Sequence, residues 1–131
     1  MYLCDTGIIV AAINPADVHN EQALKALNNA RTAPITTWPC LTEAMHLVGI
    51  TGQEKLRRQI EAGIFKLYVP TQEDVLRACA LMRRYADAPM DFADASLVVA
   101  AEVLSINRIL TFDRHFYVYR INEKTHFEVI P

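Results

Sequence analysis

Asp91 and Asp94 stand three positions apart in PMDFADASLVVAAEVL (residues 89–104), directly ahead of a run apolar enough to lie inside a protein. That spacing puts both carboxylates on the first turn of one helix. Three further acids occupy comparable places. Asp5 directly follows the apolar YLC at 2–4, Asp113 directly follows RILTF at 108–112, and Glu43 lies early in a helix entered from ITT at 35–37. An acid near a helix start has a structural explanation, since it caps free N–H groups and complements the helix dipole. Asp5, Glu43, Asp94 and Asp113 together are harder to explain so, because unneutralised carboxylates brought close repel one another. A divalent cation removes that difficulty. Oxygen ligands without His or Cys favour Mg²⁺ or Mn²⁺. Such ions activate water and stabilise the charge of a phosphoryl-transfer transition state.

For those acids to meet, the chain must carry them to one edge, and its pattern predicts this. Strand-like runs at 2–4, 35–37, 65–69, 108–112 and 126–130 alternate with helical segments. The helices are TGIIVAAI with Thr6 as cap, residues 16–30, CLTEAMHLVGI ended by Gly52, QEKLRRQIEAG closed by Gly63, residues 71–85 behind a Thr71-to-Asp74 capping box, and 91–104. On the 71–85 helix, Val75, Cys79, Met82 and Ala86 form the predicted core stripe. Alternating strands and helices make βαβ units and a mostly parallel sheet covered on both faces, a three-layer α/β/α domain. Ligands of such sheets bind outside the carboxyl ends of the strands, where these acids fall.

The chain of 131 residues fits a single domain, 52% hydrophobic and 21% charged, with a net charge of −2. That balance argues against strong non-specific adhesion to nucleic acid without excluding RNA or protein partners. No apolar run is long enough to span a bilayer, and the N-terminus lacks the basic start of a signal peptide. Cys4, Cys40 and Cys79 sit among apolar neighbours as an odd set. They read as reduced core thiols in a cytoplasmic protein.

In this order, CDTGIIVAAI, TTWPCLTEA, MDFADASLVVAAE and ILTFDRHF resemble the four acidic motifs of PIN-domain ribonucleases, and in particular the VapC toxins of bacterial toxin–antitoxin pairs. The resemblance runs from Tyr2 to about Phe116. It implies a three-layer α/β/α fold and Mg²⁺-dependent hydrolysis of RNA phosphodiesters, with Asp5, Glu43, Asp94 and Asp113 as the catalytic acids. Asp5, Asp94 and Asp113 would be the metal ligands. It further implies a homodimer and neutralisation by a VapB-like antitoxin. Gly7 departs from the Ser or Asn of many relatives.

Around this core, Asp91 reads as a cap, a supporting group or an outer ligand. Thr111, two before Asp113, is placed to orient a carboxylate or water. Arg83, Arg84, Arg114 and His115 are weaker candidates for holding RNA backbone by charge. Trp38 reads as a core or loop anchor rather than a base-stacking platform. Two rival functions fit an acidic pocket on such a sheet. A receiver-type signalling module would want paired acids after the first strand and a late Lys, where this chain has Cys4-Asp5 and Arg114. A non-catalytic partner-binding module would have no need to keep all four acids.

Overall fold

The computed structural model describes residues 1–131. In chain order the elements are β1 (Leu3–Cys4), α1 (Thr6–Ile13), α2 (Asn20–Ala30), β2 (Ile35–Thr37), α3 (Trp38–Leu47), α4 (Gly49–Glu61) and β3 (Lys66–Tyr68). They continue with α5 (Gln72–Arg84), α6 (Phe92–Leu104), β4 (Arg108–Leu110), a 3-10 turn (Arg114–Tyr117), β5 (Arg120–Ile121), β6 (Thr125–His126) and β7 (Glu128–Ile130). The main sheet has the order β3-β2-β1-β4-β7, and every pair in it is parallel. A separate antiparallel hairpin, β5–β6, closes against α6.

Two-residue periodicity divides the sheet between two cores. Leu3 and Ile109 face α5 and α6, where they meet Leu81, Leu97, Val98, Phe116 and Tyr119. Their neighbours Cys4 and Leu110 face the other way, against Ile8 and Ile9 of α1, Ala23 and Ala26 of α2, and Leu56 of α4. The three-layer α/β/α arrangement expected from the alternating pattern is therefore present. The chain winds outward from β1 through β2 to β3, then crosses to β4 on the far side of β1. The strand order reverses between β1 and β4, and a crevice opens at such a reversal.

Helix α6 is buried on almost every side, including Ala93, Ala95, Ala100 and Ala101, whose small side chains let neighbouring backbones approach. Its outer edge is clasped to α5 by a two-pronged pair. Arg77 Nε and Nη2 donate to Glu102 Oε1 and Oε2, both at 3.0 Å. Glu102 also accepts the Asn122 N–H at 2.8 Å, which ties in the β5–β6 turn.

Several boundaries differ from the sequence reading. Asp5, not Thr6, caps α1; Asp5 is extended (φ −82°, ψ 160°) and its side chain accepts from Thr6 N, while Thr6 is already helical. Helix α2 begins at Asn20 rather than residue 16, because Asn14 and Asp17 each bond a backbone N–H two residues on and hold 14–19 in turns. The break after α3 falls at Val48–Gly49, with Gly49 at φ +70°. Gly52 consequently lies inside α4, where an added Cβ would come within 2.5 Å of Val48 Cβ. Gly63, at φ +76°, lies just past the end of α4, as its type predicts. On α5 the buried residues are Ala78 and Leu81, not the Val75–Cys79–Met82–Ala86 stripe, and Val75 is exposed. Of that stripe Met82 still packs against the core and Cys79 is half-buried, while Val75 and Ala86 lie at the surface. Trp38 is 65% exposed and so is not a core anchor.

Candidate active site

The register Cys4↔Leu110 makes the residues leaving β1 and β4 neighbours, and Asp5 N donates to Leu110 O at 3.0 Å. Just beyond, Thr111 Oγ1 donates to Asp5 Oδ2 at 2.7 Å and accepts from Asp113 N at 2.9 Å. One fully buried hydroxyl thus fixes the relation between two acids 108 residues apart in sequence. Asp5 Oδ1 accepts from Thr6 N at 2.8 Å, so both of its oxygens are held. Thr6 turns its own hydroxyl to Cys40 O at 3.4 Å, joining α1 to α3.

Helix α6 brings its acids from the opposite layer. Asp91 is its N-cap and Asp94 its third residue, and the two form a reciprocal capping box. Asp91 Oδ1 accepts from Asp94 N at 2.8 Å, and Asp94 Oδ2 accepts from Asp91 N at 3.1 Å. Asp113, in turn, accepts the His115 N–H at 2.9 Å on Oδ1, with His115 Nδ1 2.8 Å from the same oxygen. One oxygen from each of Asp5, Asp94 and Asp113 can lie within 4.8 Å of the others. The surrounding cavity, about 340 Å³, is lined by Asp5, Thr6, Gly7, Glu43, Asp91, Asp94, Phe112 and Asp113. Glu43 is exposed at its mouth, outside the close triad.

Crowding and burial show in the protonation of these groups. Burial, with smaller contributions from Asp113 and Glu43, raises Asp5 to about 6 even though Thr111 and Thr6 hydrogen-bond to its charged form. Burial and the charges of Asp91 and Asp5 raise Asp94 to about 8. Glu43 is also raised, by partial burial and by Asp91. A site that strains its own carboxylates in this way suits a cation that would restore their charge. The donors are all carboxylate oxygens, which fits a hard divalent ion such as Mg²⁺ or Mn²⁺.

The structure therefore assembles Asp5, Glu43, Asp91, Asp94, Asp113 and Thr6 around one cavity, with Thr111 buried behind Asp5. The basic candidates are more dispersed. Arg114 and His115 directly follow Asp113. Arg83 and Arg84 end α5, and Arg84 is partly engaged by Glu123 at 3.5 Å. Sequence reasoning passed over Tyr119, which is fully buried beneath the acids and donates its hydroxyl to Pro89 O. That bond holds the loop leading into Asp91, and the only sequence signal was one aromatic among several in FYVYRI at 116–121. A larger cavity, about 500 Å³, lies elsewhere, among Trp38, Pro39, Val69, Val75 and Phe92. Its single carboxylate, Asp74, is already bonded to Tyr68 and Thr71, so it offers no comparable chemistry.

Thr111→Val tests the link between the two strand ends. It keeps the shape of the side chain, strips Asp5 of a donor and leaves the Asp113 N–H unpaired. Loss of such a supporting bond is expected to weaken Mn²⁺ binding about 10- to 100-fold. Calorimetric titration of parent and variant measures this; equal affinities would show that the hydroxyl does not organise the acids.

The PIN domain profile matches residues 2–122. Ribonuclease VapC26 of Mycobacterium tuberculosis is 25% identical over 134 residues, covering 98% of this chain and 99% of the relative. Among solved structures, Mycobacterium tuberculosis VapC20, a sarcin–ricin loop cleaving toxin, superposes with a TM-score of 0.84 at 17% identity, covering all of both chains. A toxin–antitoxin complex from Klebsiella pneumoniae gives a TM-score of 0.67 at 20% identity, over 86% of this chain and 87% of that one. The parallel sheet, the acids gathered where its strand order reverses and the match across nearly the whole chain agree, and the chain belongs to the PIN domain family.

Proposed function

We propose that this chain is a Mg²⁺-dependent endoribonuclease, the toxin of a VapBC-type toxin–antitoxin pair. The observation that carries the reading is the triad of Asp5, Asp94 and Asp113, with carboxylate oxygens within 4.8 Å of one another at the β1/β4 reversal. The likeness to VapC26 and to the VapC structures supports RNA as substrate. Asp5, Asp94 and Asp113 would hold the ion; Mn²⁺ could replace Mg²⁺. When bound, the ion supplies an activated water and offsets charge on the phosphate and leaving oxygen.

The protein's own groups do the rest. Thr111 and Thr6 fix Asp5, and the capping box fixes Asp94, so the ligands are set before substrate arrives. Glu43 lies outside the triad and faces solvent, which leaves it free to take the proton of the attacking water. Its raised pKa makes it a stronger base for that step. Arg114 and His115, with Arg83 and Arg84 more remotely, attract the RNA backbone toward an otherwise acidic surface.

The neutralising partner is a VapB-like antitoxin, supported by the likeness to a toxin–antitoxin complex. The chain acts as one domain and as a homodimer, in which the apolar groove around Trp38, Val69 and Phe92 is available for burial. No helix is long and apolar enough to cross a membrane, and a cytoplasmic location follows from the toxin reading. Purified chain free of antitoxin is expected to cut single-stranded RNA with Mg²⁺ or Mn²⁺ and to stop with EDTA. Cleavage that persists in EDTA and survives Asp5→Asn would sink the proposal.

A further inference from the structure

A second cavity, about 420 Å³, shares Asp91, Asp94 and Asp113 with the acidic one and is completed by Met82, Tyr85, Ala86, Pro89, Met90 and His115. The two cavities are therefore adjoining compartments with a common acidic wall. The first holds only carboxylates, the Thr6 hydroxyl, Gly7 and Phe112; the second adds two thioether side chains and the rings of Tyr85 and His115.

Both rings are locked. Tyr85 caps the end of α5, its hydroxyl accepts the Arg120 N–H at 3.0 Å, and Tyr119 packs edge-on to it at 5.2 Å. His115 is tied to Asp113 and lies nearly parallel to Tyr119, with centroids 6.3 Å apart. Tyr119 in turn is anchored to Pro89 O, which sets the loop forming the floor. An aromatic and thioether surface whose rings are held by hydrogen bonds and whose methionines adapt in shape, beside a phosphate-processing site, suits a flat, π-faced ligand, because stacking needs area rather than a particular hydrogen-bond pattern. The residues gathered here come from the end of α5 and the 85–91 segment that follows it, the first turn of α6 and the turn after β4.

We infer that this second cavity holds one unpaired nucleobase of the RNA, that of a nucleotide directly flanking the bond cut at the acids. The inference rests on the ribonuclease reading above and adds the place where a single flanking base is held. A base-paired nucleotide cannot enter without leaving its stack.

The test uses the full chain with Mn²⁺ and a short single-stranded RNA whose cut position has been mapped. The two nucleotides flanking the cut are replaced, one at a time, by an abasic ribose, which keeps both phosphates. At one of the two positions kcat/KM is expected to fall about 10- to 100-fold. In Ala86→Leu, which fills the cavity, the natural RNA is expected to be cut more slowly and the abasic penalty to shrink toward one. An equal rate on abasic and natural RNA at both positions would overturn the inference while leaving the ribonuclease reading intact. An undiminished abasic penalty in Ala86→Leu would move the base elsewhere and overturn it too. Absence of any cleavage of any RNA would remove both readings together. The abasic comparison in the parent needs no variant, so a poorly folding Ala86→Leu leaves the inference exposed to refutation.

Discussion

Asp94→Asn is expected to lower RNA cleavage on the order of a thousandfold, because a bound metal supplies several kcal/mol of transition-state stabilisation and an amide is a poor carboxylate substitute. The fold should survive. The Asn amide oxygen can still accept the Asp91 N–H, and Asp91 Oδ1 still receives the residue 94 N–H. Asp91→Asn makes the informative partner, since Asn caps about as well as Asp and should leave stability within about 0.5 kcal/mol. Asp91 lines the cavity but lies outside the close triad, so its activity should be reduced and still measurable. Single-turnover cleavage by both variants, beside their melting curves, separates the two roles. Asp91 essential and Asp94 dispensable would mean that the capping and ligand roles are assigned backwards.

The second large effect is a stability that runs against the usual direction for acids. Asp5 and Asp94 have folded-state values of about 6 and about 8, against an ordinary aspartate value of 3.8. Between about pH 4 and pH 8 the folded chain therefore holds protons that the unfolded chain has released. Stability is fully present below the ordinary value and is lost as pH rises through the folded values. For Asp5 alone the rise corresponds to about 3 kcal/mol. In EDTA the melting temperature should fall steadily from pH 5 to pH 9. Asp94→Asn, which mimics the protonated acid, should be the more stable protein at pH 9 and no better than the parent at pH 5. Saturating Mn²⁺ should reverse the trend, adding about 2.7 kcal/mol at a hundredfold excess over Kd. Melting curves of the metal-free parent that rise across this window would show that the acids are not strained by burial.

The positions of the site residues were readable in the sequence because they depend on local grammar. An acid after an apolar strand, or one turn into a helix, takes its place from the element beside it. Once β1 and β4 are known to be strands, Asp5 and Asp113 have little freedom. Contacts between elements were not readable. Nothing local to Thr111 names Asp5 as its partner, and nothing in Tyr85 or Tyr119 announces a cavity wall; those relations exist only after α5 and α6 have packed. The misread α5 stripe has the same origin. Helical spacing marks several possible faces, and only the packing of Ala78 and Leu81 against α6 shows which of them turns inward. The displaced start of α2 is different in kind, since turn chemistry at Asn14 and Asp17 outweighed helix propensity in the next residues.

Helix α6 sits inside the molecule like an axle, and Asp94 is fixed to its end. The amides of its central turns, around Leu97 to Ala101, should be among the slowest in the chain to exchange with solvent. In the proposed nuclease an acid mounted on such a part has little room for a quiet posture of its own, since withdrawing Asp94 would disturb the helix at the centre of the core. Silence would then be imposed from outside, by something that sits over the acids or competes for the ion they are proposed to hold.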